Sequence, residues 1–107
     1  MPQIKHAVLM KFKAGTPEST IQGIMSALAG LKSKIPGLLD FSSGPYSSSE
    51  GLNQGFTHGF IMTFADAASR DGYLPHPEHD KVKALIVPHL EGGLAGVIAF
   101  DWLHAGG

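Results

Sequence analysis

The chain has 107 residues, of which 43% are hydrophobic and nine are aromatic, a composition that fits one globular domain with a single core, about residues 3–103 of the whole 1–107. Eight basic and nine acidic residues leave a formal charge of -1, with no run of Lys or Arg to follow a phosphate backbone, which argues against nucleic acid as a partner. The absence of cysteine excludes disulfides, thiolate catalysis and Cys-ligated metal. The segment to Lys13 alternates and carries lysines, unlike a signal peptide or a membrane span, so a cytosolic protein with no membrane partner is expected.

From Ile4 the residues Ile4, His6, Val8, Met10 and Phe12 alternate with Lys5, Ala7, Leu9, Lys11 and Lys13, the period of two that marks a strand. Thr16-Pro17-Glu18 supplies a capping side chain, a proline for the first helical position and an acid for the first turn. Ile21, Ile24, Met25, Leu28 and Leu31 then recur at helical spacing, predicting a helix to about Lys34 that Ile35-Pro36-Gly37 stops. Leu38–Ser43 reads as a second strand, and the Ser- and Gly-rich stretch Gly44–Gly55 as a surface loop. Phe56, His58, Phe60, Met62 and Phe64 form the bulky face of a third strand. Asp66 can cap a short helical turn through Tyr73, and Pro77 opens a helix to Val87 that Pro88 bends or ends. After Gly92-Gly93, Leu94–Trp102 is a final, strongly apolar strand, with a loose tail from His104.

The order β, α, β, β, α, β predicts an α+β fold, the ferredoxin-like βαββαβ arrangement with two helices on one face of a four-stranded antiparallel sheet. The other face, with Ala7, Leu9, Ile61, Ile98 and Phe100, would expose an apolar patch unless a second copy covered it, so a homodimer is expected.

Ile4-Lys5-His6 leading into Phe12-Lys13, Gly55-Phe56-Thr57-His58, and Tyr73-Leu74-Pro75-His76-Pro77-Glu78-His79 together resemble the stress-responsive dimeric α/β-barrel (Dabb) family. Ile35-Pro36 and Phe100-Asp101 extend the resemblance over nearly the whole chain. It implies a dimer in which two sheets face each other as a barrel. A plant cyclase of the family folds a linear polyketide thioester into an aromatic acid by aldol-type condensation. Its Tyr/His acid/base pair falls on Tyr73 and His79, and its other site histidines on His6, His58 and His76. Here the aromatic residues that line that enzyme's pocket from the first helix are replaced by Ile24, Met25 and Leu28, and the usual Trp-Gly after the second strand is Ser43-Gly44, which implies a different ligand.

With Pro77 first in its helix, His79 lies in the first turn, where unpaired N–H groups and the helix dipole favour the neutral imidazole, a state suited to a general base. Tyr73 can donate its phenol proton to an enolate oxygen. The plainer reading is that His79 packs at a helix start and Tyr73 fills the core. His6 and His58 share the parity of the bulky residues on their strands but should lie at opposite ends of an antiparallel pair, on the order of 15 to 20 Å apart, too far to share a metal. His76 precedes Pro77, and no further ligand pattern completes a metal site with it and His79; no metal or cofactor is expected.

The sequence thus points to a homodimer that binds a small apolar carbonyl compound between helices and sheet, with polyketide-cyclase-like enolate chemistry at Tyr73 and His79. His6, Val8, Ile24, Met25, Leu28, His58, Phe60, Met62, His76 and Val97 are the candidate substrate-binding residues. If it is an enzyme, it is a cofactor-independent cyclase- or lyase-type acid–base catalyst. The alternative is a non-catalytic stress-associated homodimeric binding or structural domain.

Overall fold

A computed structural model describes residues 2–104. The chain folds as strand β1 (Gln3–Met10), helix α1 (Glu18–Gly30) with a 3₁₀ turn at Leu31–Ser33, strands β2 (Leu38–Pro45) and β3 (His58–Phe64), helices α2 (Ala67–Tyr73) and α3 (Pro77–Ile86), 3₁₀ turns at Val87–His89 and Gly93–Gly96, and strand β4 (Val97–His104). The sheet order is β2-β3-β1-β4, antiparallel at every pairing, which is the ferredoxin-like arrangement. Among the described residues no helix is long and apolar enough to cross a membrane.

The differences from the sequence expectation fall at element ends, where backbone hydrogen bonds change partner. β1 stops at Met10 because Lys11 leaves the ladder: its N–H donates to Gly96 O at 2.8 Å and its carbonyl accepts from Glu91 N at 2.9 Å, after which Phe12 bridges to Leu90. Thr16 does not cap α1; its hydroxyl donates to Lys13 O at 2.6 Å, closing the preceding turn, and Pro17 itself is the residue before the helix. β3 begins two residues later than the alternation suggests, since Phe56 N–H closes a turn onto Asn53 O and the Phe56 ring lies 4.9 Å below the Lys11 ammonium. Leu94 belongs to a 3₁₀ turn, entered through the left-handed Gly92 (φ 74°), and β4 continues through His104 rather than fraying there. The rest of the expected loose tail lies outside the described residues.

The periodicities translate directly into faces. Ile4, Val8 and Met10 of β1 and Phe60, Met62 and Phe64 of β3 are buried beneath Ile21, Ile24, Met25 and Leu28 of α1 and Val82 and Ile86 of α3. At roughly 1.5–3 kcal/mol for each large apolar side chain removed from water, this layer is the main source of stability. The opposite sheet face has no helix. Ala7 pairs with both Ile61 and Phe100 across neighbouring strands, Leu9 pairs with Ile98, and Lys5 with Trp102. Leu9, Ile61, Ile98, Phe100 and Trp102 are all exposed there, so the chain leaves an apolar face uncovered.

Candidate functional site

Between the sheet and α3 lies a cavity of about 190 Å³. Its floor comes from β1 (His6, Val8, Met10), Phe60 of β3, and Val97 and Ala99 of β4; Leu28 of α1 contributes from one side. Its roof is the inward face of α3, His79, Val82 and Ile86, and the chain after it through Leu90 and Leu94. Tyr73 and Leu74 close one end, and the walls are apolar apart from His6, Tyr73, His79 and Lys83.

Tyr73 and His79 meet because the chain makes a tight exchange between two helices. Asp66 caps α2 by accepting from Ser69 N–H at 2.8 Å, which delivers Tyr73 to the last position of that helix. Three residues later His76 caps α3, its Nδ1 accepting from Glu78 N–H at 3.1 Å, with Pro77 at the first helical position. His79, in the first turn, reaches back so that its Nδ1 lies 2.8 Å from Leu74 O. A carbonyl oxygen only accepts, so Nδ1 carries the proton and the neutral ring keeps its lone pair on Nε2. The two rings lie 4.4 Å apart at 41°.

Tyr73 is 1% exposed, and burial pushes its phenol well above the ordinary range, so that it is held as a donor. Among the described residues its hydroxyl has no hydrogen-bond partner, while no fully buried side-chain polar atom is left unpaired; the hydroxyl is therefore the part of Tyr73 that reaches the cavity. Glu78 braces the start of α3, its carboxyl held below the usual range by Lys81 and then Lys34, the latter reaching from the end of the α1 segment.

A second histidine is held from behind. His6 is buried, its ring 6.0 Å from that of Tyr73, and its Nδ1–H donates to Asp101 Oδ1 at 2.6 Å. Arg70 of α2 donates to the other Asp101 oxygen at 2.9 Å and to Asp71 at 2.8 Å, bonds that raise its own pKa further. An ionised carboxylate fixed by a guanidinium thus sets the tautomer of His6 and leaves Nε2 as the ring's second nitrogen. Asp101 and Arg70 were not among the sequence candidates. The signal for Asp101 was its place on the helix-facing parity of the last strand, directly across from His6 once the register is known.

Of the sequence candidates, the cavity brings together Tyr73, His79, His6, Val8, Leu28, Phe60 and Val97. Ile24, Met25 and Met62 are packed in the core outside it, and His76 is occupied as the cap of α3. His58 stands across from Met10, four positions along the β1/β3 pair from His6, about 13 Å at 3.3 Å per residue. It packs edge-on against Phe12 at 5.2 Å and borders a separate surface groove beneath the 46–56 loop. Among the described residues, no group of three or more His, Asp or Glu is placed to hold a metal ion.

The sequence and the fold are similar to those of known proteins. Residues 4–103 match the family model described as Stress responsive A/B Barrel Domain. A stress-response A/B barrel domain-containing protein of Arabidopsis thaliana is 30% identical over 99 residues, 92% of this chain and 87% of the relative. Olivetolic acid cyclase of Cannabis sativa is 26% identical over 76 residues, 71% of this chain and 75% of that one. A dimeric ferredoxin-like protein of unknown function from Jannaschia sp. CCS1 superposes with a TM-score of 0.84 at 29% identity, covering 94% of this chain and 97% of its own. The chain therefore belongs to the stress-responsive A/B barrel domain (Dabb) family.

Proposed function

We propose that the protein is a cytosolic homodimer, that each subunit binds a small apolar carbonyl compound in the cavity beside α3, and that Tyr73 and His79 carry cofactor-independent enolate chemistry of the aldol, ring-closing type. The observation that carries this reading is the Tyr73–His79 pair: a buried phenol held as a donor, 4.4 Å from an imidazole whose proton is committed to Leu74 O, both at one end of an apolar cavity. The similarity to a named cyclase supports the same reaction class.

In this reading His79 Nε2 removes a proton from the carbon beside a carbonyl, and the Tyr73 hydroxyl donates to the enolate oxygen as charge develops there. The enolate carbon attacks a second carbonyl of the same molecule, forming a carbon–carbon bond. The imidazolium then returns the proton to the new alkoxide, so the enzyme ends as it began. Apolar walls strengthen the developing hydrogen bond and keep water from quenching the enolate. Dimerisation is supported by the uncovered face of Leu9, Ile61, Ile98, Phe100 and Trp102 and by the dimeric description of the Jannaschia structure.

The direct test is solvent-deuterium exchange at the acidic carbon of linear β-keto thioesters, followed by NMR. Wild-type protein should accelerate exchange. Tyr73→Phe should reduce that acceleration by about 10²–10³ and His79→Ala by about 10²–10⁴. Equal exchange in all three would leave the non-catalytic binding or structural domain as the reading.

A further inference from the structure

We infer that the cavity's ligand carries an anionic group at the end remote from its reacting carbonyl, and that Lys83 selects for it. Of the residues lining the cavity, Lys83 is the one with a permanent charge, since Arg70 and Asp101 pair with each other behind His6 and do not line it. Lys83 is exposed at the rim, and among the described residues no carboxylate lies within ion-pair distance of it. Of the acids on α3, Glu78 is already shared by Lys34 and Lys81, and Asp80, three residues before Lys83, is solvent-exposed and forms no ion pair with it.

Lys83 follows His79 by four residues and so lies on the same face of α3, about 6 Å further along the axis at 1.5 Å per residue. Its methylene stem extends the apolar wall while its ammonium reaches water. Low-dielectric walls focus an uncompensated charge, so the open end of the cavity is electropositive. At the other end, the Tyr73 hydroxyl and the Nε2 lone pair of the neutral His79 ring suit a carbonyl and its acidic carbon. The two ends together fit a short apolar chain with a ketone at Tyr73–His79 and a carboxylate at Lys83. The volume of about 190 Å³ is below the about 300–1,000 Å³ of drug-sized sites, which keeps that chain short.

This inference rests on the proposed cavity reading. The probes are 7-oxooctanoate, its methyl ester and 2-octanone, titrated by calorimetry into the purified full-length protein at low ionic strength. Wild-type protein should bind the acid about tenfold more tightly than the ester, a preference that weakens with salt. Lys83→Met, which removes the charge but keeps an apolar stem of similar length, should erase the preference by weakening the acid most, Lys83→Glu should reverse it and Lys83→Arg should keep it. A merely structural role for Lys83, such as complementing the C-terminal end of α3, would alter all three affinities together or none. Equal binding of acid and ester by wild type would overturn the assignment to Lys83 and leave the cavity reading standing. Failure of all three probes to bind would overturn both.

Discussion

His79 and His6 point toward the same cavity, each locked into one tautomer by a different acceptor, a backbone carbonyl for the first and a carboxylate for the second. Between them Tyr73 keeps its proton because ionisation would place a charge against Phe64 and the two imidazoles in a buried setting. The unfolded chain releases that phenol proton near its ordinary pKa of 10.0 whereas the folded chain retains it, so Tyr73 contributes stability that is present below about pH 10 and drains away above it. Thermal unfolding between pH 9 and pH 11.5 should therefore show stability falling by up to about 1.4 kcal/mol per pH unit from this group, and Tyr73→Phe should flatten the decline. Asp101→Asn removes the charge that both His6 and Arg70 bond, and should lower stability by about 1.5–3 kcal/mol in urea titration, with Arg70→Leu less severe because Asp101 keeps His6. Tyr73 and His79 were legible as a pair only through the family resemblance, since their contact depends on a fold-back at Leu74 that no periodicity encodes. Strand parity gave the face of His6 but not its partner, because the register of β1 against β4 is a property of two segments distant in sequence.

At the scale of elements, local chemistry and pattern agreed wherever an element carried its own signals. The alternation of β1 and β3, the Asp66 cap and the Pro77 start all appear in the structure as read. The ends were less legible because they are set by hydrogen bonds between remote segments. Lys11 ends β1 by exchanging its partners to Gly96 and Glu91, and nothing near Lys11 in sequence announces this. That joint also explains Gly96: a Cβ there would sit 2.7 Å from Glu91 O and 3.2 Å from Lys11 O. Gly96→Ala should thus force the start of β4 away from β1 and destabilise the fold by about 1–3 kcal/mol. Chemical denaturation checks the magnitude, and loss of amide protection at Lys11 and Glu91 would locate the damage. Asp66→Ala should lower stability by about 1 kcal/mol through loss of its cap, measured the same way.

For the whole molecule, one sheet face packs the core and the cavity while the other exposes Leu9, Ile61, Ile98, Phe100 and Trp102. A second copy covering that face would supply the missing layer, and Phe100→Asp with Ile98→Lys should shift sedimentation from dimer to monomer while leaving the helix-facing core intact. The fold class was legible because a four-stranded sheet with helices on one side is the economical answer to this order of alternating and helical segments. The cavity was legible only in part: a site between helices and sheet was expected, with Val8, Phe60 and Val97 on its floor, but the wall from Val82 and Ile86 to Leu90 and Leu94 was not, because those residues read individually as ordinary core. Its occupancy is the central claim, and the crystal structure of the protein soaked with a β-keto thioester analogue tests it most directly. Density for a carbonyl compound within hydrogen-bond reach of both the Tyr73 hydroxyl and His79 Nε2 is the expected result; a cavity filled by its own side chains, with the analogue absent, would contradict it.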